Sequence, residues 1–415
     1  MRAQKNKKII LLFLAGILLF TTVGCGGEKT SVTDASANTA AITASTAETA
    51  TATASVEPES AAADTKAAAE KVKYTDMLGR EVELAKDVKK IVAVRYMDIY
   101  YLAAILGEEL DDKLISLGMS YAQNDIDGYR KFSEVYKNLD KLVETGSIYD
   151  DAISLETMIK LEPDIIIADK QFYNYSCLNK LIEAGLPVVF TDFNTDPFHG
   201  SQNSMKMIGK MLGKEEYVNE MADYTNKKTD DVLDRVKQLE ASNIKRPKLY
   251  FECGNVSPGE IGGTRGDTSS GWGYLWEKLG ADNIGSGSKS EAMNPEQVLV
   301  ANPDVIVIGG ANWNPDGNIM RMGFYVTPQS ASDHLALYTQ RAGWPDLAAV
   351  KTGRLHSLHF NYFVHPYNFA GVEAMAKFLY PKEFADLDPE KDMAEFFDKY
   401  MPVKYSGRFS ADWIK

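Results

Sequence analysis

Aromatic and arginine side chains are concentrated just beyond the carboxyl ends of the predicted strands of this chain. In open α/β sheets ligands bind outside these strand ends. Arginine stacks on aromatic rings and binds carboxylates through two parallel hydrogen bonds. Taken singly, each aromatic residue is as well explained by core packing and each arginine by a solvated surface. As a set they predict a pocket for a large, partly planar ligand, including an anionic one. The candidate ligand-binding residues are Arg95, Tyr96, Tyr121, Tyr173, Arg265, Trp272, Trp313, Arg321, Tyr362 and His365.

The five histidines do not form the pattern expected of a bare metal site. His356 and His359 lie three apart on a predicted strand, where they face opposite sides of the sheet. The first of two predicted lobes contains only His199, whereas a zinc or manganese site needs three or four converging ligands. We therefore predict no bare metal ion and no cofactor. His365 alone could ligate haem iron or corrinoid cobalt, or it could be a turn residue before Pro366.

Familiar catalytic motifs are missing from the sequence. It contains no Walker lysine motif and no Gly-x-Ser-x-Gly nucleophile elbow, and Gly285-Ser286-Gly287 does not open a convincing phosphate-binding helix. Binding without turnover is therefore the favoured interpretation. The alternative is a lipid-anchored cell-surface hydrolase with an unrecognised active site, which a panel of hydrolysis assays would distinguish from a binder.

One stretch occurs twice and organises the chain. Residues 154–168 are predicted to form a short helix, a Pro-Asp turn and a buried strand, because proline ends the helix and four apolar residues follow Asp164. The same pattern returns at 295–308. In both copies a glutamate, Glu156 or Glu296, precedes the Pro-Asp aspartate by eight residues, and the copies lie 140 residues apart. Two copies in register indicate two similar α/β lobes.

The order of the predicted elements indicates an α/β fold in two similar lobes, with mostly parallel sheets and a ligand cleft between the lobes. We assign residues 72–204 to the first lobe and 246–400 to the second, with 401–415 as a C-terminal tail. The tract 205–243 has apolar residues at helical spacing and no strand signal. One long rigid helix joining the lobes is the natural interpretation, and two ordinary helices of one domain stay open as the alternative.

The first 24 residues are predicted to be a secretory signal. Four basic residues precede an apolar run at 9–20, which is too short to span a bilayer comfortably. Small residues before Cys25 resemble the lipobox of bacterial lipoproteins, so we expect Cys25 to be lipidated. Ordinary cleavage and an uncleaved anchor are the weaker alternatives. Residues 26–70 are rich in Ala, Thr and Ser and lack aromatic residues, a composition that predicts a disordered tether.

The chain is acidic, and its charge narrows the choice of partners. The net charge is −13, and removal of the four basic residues of the signal takes it to −17. This excess of acid argues against nucleic acid and against a polybasic membrane-binding surface. Beyond Cys25, the cysteines are Cys177 and Cys253, which fall in different predicted lobes. We therefore expect free buried thiols rather than a disulfide framework.

The ordered set of these features resembles a known family. Lipobox and tether are followed by the hairpin Asp76…Gly79-Arg80, the strand at Ile91-Val92, both Glu…Pro-Asp units and the long helical tract. Over about residues 72–400 the chain is similar to the substrate-binding proteins of ABC importers for ferric siderophores, haem and cobalamin. The resemblance implies a metal chelate held between two lobes with little hinge motion and delivered to a permease dimer. We further expect a monomer on the extracytoplasmic face, bound to the membrane through its lipid anchor only.

Two matched glutamates are candidates for contact with that permease. In the family that the chain resembles, glutamates at the positions of Glu156 and Glu296 meet arginines on the two permease subunits. A simpler interpretation is that each carboxylate stabilises the N-terminus of its own helix through the macrodipole. Equivalent carboxylates on equivalent lobes suit a two-fold partner, so we expect both to dock the permease.

Overall fold

The fold is described from a computed structural model that covers residues 70–313 and 317–415. The predicted signal segment, Cys25 and nearly all of the predicted tether lie outside these residues. Within the described part of the chain, no helix is both long enough and apolar enough to cross a membrane.

The first lobe begins with a β-hairpin and continues as alternating strands and helices. Its elements are β1 (Lys71–Thr75), β2 (Glu81–Ala85), β3 (Ile91–Ala93), α1 (Ile99–Leu106), α2 (Leu110–Lys113), β4 (Leu114–Ser116), α3 (Tyr121–Asn124), α4 (Ile126–Phe132), α5 (Leu155–Leu161), β5 (Ile165–Asp169), α6 (Ser176–Glu183) and β6 (Val188–Thr191). β1 and β2 pair antiparallel, and the other four strands form a parallel sheet in the order β4-β3-β5-β6. Every residue of β5 is buried, as expected for a strand covered on both faces.

A buried aspartate fixes the hairpin to this sheet. Asp76 accepts hydrogen bonds from the N–H groups of Leu78 and Arg80 at 2.9 and 3.0 Å, and its second oxygen binds the Arg80 guanidinium at 2.7 Å. Gly79 adopts φ +77°, a conformation that glycine tolerates best. Arg80 also donates to the carbonyl of Val188 in β6 at 2.8 Å. The turn of the hairpin therefore also attaches the hairpin to β6 of the parallel sheet.

Two helices, rather than one, occupy the predicted linking tract. α7 spans Gly200–Met211 and α8 spans Glu215–Ala241, and Gly213 at φ +71° lies in the turn between them. Gly209 lets the two helices pack closely, because a Cβ at this position would lie 2.6 Å from Val218. α8 has 27 residues and is about 40 Å long. The expected long helix therefore exists, but it begins about ten residues later than the tract predicted from the sequence.

The second lobe is built around a five-stranded sheet. Its elements are β7 (Lys248–Cys253), α9 (Gly271–Lys278), β8 (Asp282–Asn283), α10 (Pro295–Ala301), β9 (Val305–Gly310), α11 (Pro328–Tyr338), α12 (Ala348–Lys351), β10 (Leu355–His359), α13 (Asn368–Leu379), α14 (Pro389–Tyr400) and β11 (Ser410–Asp412). The strand order is β11-β10-β9-β7-β8, and all neighbours are parallel except β10 and β11. Residues 401–415, expected to be a tail, thus supply an edge strand of the second sheet.

The two copies of the repeated unit end their helices in the same way. After α5 the backbone of Glu162 has φ +48°, and after α10 the backbone of Asn302 has φ +46°. Both values are left-handed, a conformation in which asparagine is tolerated and most other residues are strained. A proline follows in each copy and prevents the helix from continuing.

The aspartate of each Pro-Asp pair binds the beginning of a neighbouring strand. Asp164 accepts hydrogen bonds from the N–H groups of Lys89 and Lys90 just before β3, both at 2.8 Å. Asp304 accepts a hydrogen bond from the N–H of Lys248, the first residue of β7, at 2.9 Å. Because β3 pairs with β5 and β7 pairs with β9, each carboxylate satisfies backbone donors of the strand beside its own.

Replacement of Glu162 by asparagine, the residue of the second copy, is expected to raise the free energy of unfolding by about 0.5–1 kcal/mol. The glutamate side chain is 79% exposed and its nearest charged partner, Lys90, is 3.9 Å away, so little is lost with it. Urea denaturation would measure the change. Asn302→Glu should be clearly destabilising, because Asn302 also accepts a hydrogen bond from the N–H of Ala348 at 2.8 Å. Equal stabilities of all three proteins would contradict the explanation.

Buried hydrogen bonds join the start of α7, with the residues just before it, to the start of α13. Asn368 donates to the carbonyl of Phe198 at 3.0 Å and accepts a hydrogen bond from Gln202 at 2.7 Å. Ser201 donates to the carbonyl of His365 at 3.2 Å. These contacts hold the start of α7 against the segment between β10 and α13.

Candidate functional site

A narrow pocket lies between the two lobes, at the carboxyl ends of β3 and β4 in the first sheet and of β9 and β10 in the second. The segments after β3 and β4 form its first wall, and those after β9 and β10 form its second wall. The open space at its centre is about 20 Å³, which holds roughly one water molecule. Any larger ligand must therefore displace lining side chains or separate the lobes. The lining residues are Tyr96, Met97, Tyr100, Asn124, Asp125, Ala311, Asn312, Trp313, His359, Asn361 and His365.

On the first wall, two hydrogen bonds hold the carboxylate of Asp125. The hydroxyl of Tyr100 donates to one oxygen at 2.7 Å, and the N–H of Gly128 donates to the other at 2.9 Å. Burial raises the pKa of Asp125, and both hydrogen bonds oppose that rise. Glycine is required at 128, because a Cβ there would come within 2.6 Å of the hydroxyls of Tyr100 and Tyr121. The wall therefore presents a carboxylate in a fixed position.

On the second wall, two buried histidines are neutral. Nδ1 of His359 accepts a hydrogen bond from the N–H of Asn361 at 3.3 Å, which places the ring proton on Nε2. Burial lowers the pKa of His359 to about 3 and holds the pKa of His365 well below its usual value. His365 stacks on the ring of Tyr100, across the lobes, with the ring centroids 4.2 Å apart. The wall thus offers imidazole nitrogens without charge, the form that ligates metals.

Three polar atoms of the second wall have no hydrogen-bond partner among the described residues. They are Nδ1 of His365 and both amide atoms of Asn312. Both residues are more than nine-tenths buried, with 1% and 8% of their surface exposed. Buried polar atoms normally have partners, because leaving one unpaired costs about 1–3 kcal/mol. These atoms are therefore the first candidates for contact with a ligand.

Three of the ten residues predicted to bind ligand lie in the pocket lining, namely Tyr96, Trp313 and His365. Arg265 lies outside the lining but close to it, since its guanidinium is 5.8 Å from the ring of Phe360, which itself contacts Trp313. Tyr173 is half exposed and does not line the pocket. The other seven predicted residues lie outside this lining.

Arg321 bridges the two lobes instead of lining the pocket. It donates to Asp127 of α4 at 2.7 Å. Tyr325, at φ +64°, packs against Arg130 of the same helix, with the guanidinium 4.6 Å from the ring centre. The segment after β9 thus crosses from the second lobe to the first. Arg321, predicted to bind ligand, and Tyr325 therefore both contact α4.

Arg95 is buried and fully engaged by carboxylates. It binds Asp98 through Nε at 3.0 Å and Nη2 at 2.5 Å, and it binds Asp169 through Nη1 at 3.3 Å. Only 1% of its surface is exposed. The turn that follows the strand brings Asp98 back over the guanidinium, and β5 ends on Asp169. Arg95 is therefore part of a buried ion cluster and does not belong to the pocket lining.

Three further predicted residues are core residues in the structure. Tyr121, Trp272 and Tyr362 are each at most 4% exposed. The rings of Trp272 and Phe251 lie 4.7 Å apart, and the hydroxyl of Tyr362 is 3.0 Å from the sulfur of Met393. Core packing, the simpler explanation for single aromatic residues, describes all three.

Sequence reasoning missed most of the polar lining. Asn312 and Asn361 each follow a strand by two residues, so the strand-end rule could have found them, but it was applied to aromatic and arginine residues only. His359, the last residue of β10, was considered only as a chelating partner for His356. Asp125 lies between two short helices, where no strand signal marks it.

Glu156 and Glu296 occupy equivalent exposed positions. They lie in the first turns of α5 and α10, and both are exposed. Glu156 is paired with Lys160 at 2.6 Å in a solvated i,i+4 contact. Both glutamates are therefore free to meet a partner protein.

No group of three or more His, Cys, Asp or Glu side chains within the described ranges is arranged to hold a metal ion. Cys177 and Cys253 are buried free thiols, as the sequence predicted.

The fold and pocket have counterparts among known proteins. The profile of the periplasmic binding protein family matches residues 104–362. The crystal structure of the TroA-like periplasmic binding protein FepB from Veillonella parvula is similar, with 31% identity and a TM-score of 0.75 over 83% of this chain and 100% of that one. CeuE from Helicobacter pylori, in a nickel–histidine complex, has 15% identity and a TM-score of 0.55 over 81% and 97% of the two chains.

One curated relative has an identified ligand. The molybdate-binding protein MolA of Haemophilus influenzae is 21% identical over 364 residues, or 80% of this chain and 91% of the relative. Its molybdate-bound structure has a TM-score of 0.59 at 17% identity, over 81% and 99% of the two chains.

The family match runs from α1 to the segment after β10, so it includes a large part of each lobe and most of the pocket. The match to the Veillonella structure covers that protein completely. Together they confirm the predicted two-lobed α/β fold with mostly parallel sheets. The chain belongs to the periplasmic binding protein family, the solute-binding proteins of ABC transporters.

Proposed function

We propose that this solute-binding protein captures a metal chelate, such as a ferric siderophore, haem or cobalamin, and delivers it to the permease of an ABC importer. The observation that carries the proposal is the buried, neutral His365, which lines the cleft and whose Nδ1 has no partner among the described residues. A neutral imidazole nitrogen is a good ligand for a transition metal that retains an open coordination position.

Aromatic side chains in the lining support the same ligand class. Tyr96, Tyr100 and Trp313 present ring surface to the pocket, and ring surface suits a partly planar or conjugated ligand. Members of this family are solute-binding proteins rather than enzymes, so the hydrolase alternative falls away.

Titration followed by tryptophan fluorescence tests this proposal. Ferric trihydroxamates, haem, cyanocobalamin and molybdate would each be added to purified protein. We expect saturable quenching by at least one chelate, since Trp313 lines the cleft. Trp313→Phe keeps an aromatic ring in the lining and should remove most of the quenching. Trp344→Phe, in the core of the second lobe, should leave the quenching unchanged. If every chelate fails to bind, the proposal is wrong.

A compact oxyanion is the second candidate ligand. The space between the walls is only about 20 Å³, which favours a small ligand over a large one. The curated Haemophilus relative binds molybdate. Calorimetric titration with molybdate separates the two candidates, because a chelate binder should show no heat of binding with the bare oxyanion.

A lipid anchor would place the protein on the extracytoplasmic face of the membrane. We expect Cys25→Ala to release the protein or to leave its precursor unprocessed, because the predicted lipid would be its only attachment. Membrane fractionation and the mobility of the precursor on a gel measure both outcomes. Cys177→Ala, which removes a thiol buried in the first lobe, is the control. Unchanged membrane association and processing of Cys25→Ala would rule out the anchor.

A further inference from the structure

Among the described residues, the lining of the pocket between the lobes contains one carboxylate and neither lysine nor arginine. Asp125 is the carboxylate among the lining residues, and no lysine or arginine belongs to that described lining. His359 and His365 also belong to the lining, and both are buried. The described lining therefore offers a carboxylate, and no guanidinium or ammonium group to balance a negative ligand.

Cationic side chains close to the cleft are already paired with carboxylates. Arg95 is bound by Asp98 and Asp169, as described above. Lys170 binds Asp192 at 2.6 Å. The third, Arg321, binds Asp127 at 2.7 Å. None of these three cations is available to balance a negative ligand without breaking an existing ion pair.

Arg265 is the cation that could oppose this conclusion. It donates to its neighbour's carbonyl, that of Thr264, at 3.3 Å and lies over Phe360, outside the lining. Phe360 in turn contacts Trp313 of the second wall, so Arg265 lies on the side of the pocket opposite Asp125. Variants of Arg265 and of Asp125 therefore both test which charge the pocket prefers in its ligand.

We infer that the ligand is a chelate whose enclosed face carries positive charge or none, and that Asp125 selects against negatively charged chelates. The inference rests on the proposed function and names the charge class of its ligand. A negative group about 6 Å from a carboxylate, at an effective dielectric constant of about 20, loses on the order of a hundredfold in affinity. A positive group at the same place gains by a similar factor before desolvation is counted.

The unpaired amide of Asn312 supports the same class of ligand. Its oxygen and its nitrogen are both without partners among the described residues, so it can accept as well as donate a hydrogen bond. The carboxylate of Asp125 only accepts. The two groups face the cleft from opposite lobes, and together they fit a ligand with N–H or O–H donors on one side.

Three ferric trihydroxamates with the same metal core test the inference. Ferrioxamine B carries a pendant ammonium, its N-acetyl derivative is neutral, and its N-succinyl derivative is negative. We expect dissociation constants that rise in that order, with at least a tenfold difference between the first and the last at low salt. Asp125→Asn should remove most of that difference, because asparagine also caps α4 but carries no charge.

Controls keep the failure of this inference separate from failure of the proposed function. Asp112→Asn removes an exposed carboxylate of the first lobe and should leave the order unchanged. Tighter binding of the negative chelate by the wild-type protein, with loss of that binding in Arg265→Gln, would overturn the inference and leave the chelate-binding function intact. Absence of binding by all three, together with haem and cobalamin, would instead overturn the proposed function. The comparison within wild-type protein holds even if Asp125→Asn fails to fold.

Discussion

Charge reversal at both Glu156 and Glu296 is expected to abolish uptake of the ligand while leaving its affinity nearly unchanged. Both side chains are exposed on helices that begin equivalent units of the two lobes. Neither lines the pocket between the lobes. Charge pairs at the rim of an interface govern association and specificity, so arginine at both positions should repel the permease arginines that we propose as partners.

The fold should tolerate this double substitution. Each carboxylate lies in the first turn of its helix, where it stabilises the helix by a few tenths of a kcal/mol. The contact of Glu156 with Lys160 is solvated, and such surface pairs contribute about 0.3–0.5 kcal/mol. The midpoint of thermal unfolding should therefore fall by only a few degrees.

A double variant with the same change in charge is the control. Glu183→Arg with Glu395→Arg reverses one exposed carboxylate in each lobe, and Glu395 has a comparable i,i+4 partner in Lys391 at 3.7 Å. Uptake of ligand by whole cells and calorimetric affinity would be measured for both doubles. The docking role is wrong if the Glu156 and Glu296 double variant still transports, or if it loses affinity for ligand.

Arg95→Ala is expected to reduce the free energy of unfolding by about 3–5 kcal/mol, the cost of breaking a buried ion pair from one side. The substitution leaves Asp98 and Asp169 buried without their cation. Burial already raises the pKa of Asp98 to about 6 in the presence of Arg95, which shows how poorly the site accommodates a lone carboxylate. Urea denaturation, read by circular dichroism, measures the loss.

Two further variants make this prediction specific to burial. Arg246→Ala removes an arginine that is 41% exposed and paired with Glu240 and Glu277, and it should cost at most about 1 kcal/mol. Arg95→Met combined with Asp98→Asn should recover part of the stability lost in Arg95→Ala, because fewer charges are left unpaired. A cost below about 1 kcal/mol for Arg95→Ala would show that the ion cluster is not buried in solution.

The large cost of Arg95→Ala also bears on binding. Tyr96 follows Arg95 directly and lines the pocket, so loosening the cluster should disturb the first wall. Weaker binding in Arg95→Ala is therefore expected without any contact between arginine and ligand. Affinity measured at several urea concentrations well below the unfolding transition would separate loosening of the first wall from loss of a direct contact with ligand.

The fold could be predicted from the sequence because its strongest signal was repeated. Each copy of the helix, Pro-Asp turn and strand contains its own stop signal, and the four apolar residues after the aspartate specify a buried strand. The break at Gly213 was missed, because apolar residues continue at helical spacing on both sides of it. The role of Asp164 was also missed, since its backbone partners at Lys89 and Lys90 are distant in sequence.

The pocket was predicted less completely than the fold. The strand-end rule identifies which positions lie at the edge of a sheet, and it correctly placed Tyr96, Trp313 and His365 there. It does not say which way a side chain points or which partner it meets. Arg95 meets two carboxylates and Trp272 meets the core, and both outcomes depend on elements folded back from elsewhere in the chain.

The length of helix α8 sets the spacing between the contacts that it makes at its two ends. Each added residue advances a helix by about 1.5 Å and rotates it by about 100°. Val218, near one end, packs against Gly209 of α7, and Lys228, farther along, binds Asp392 of the second lobe at 2.7 Å. One residue inserted between them would turn the two sets of contacts out of phase, whereas seven would restore the phase to within about 20° and lengthen the molecule by about 10 Å. Substitutions in this helix should therefore be tolerated, whereas its length should change only in steps of about seven residues.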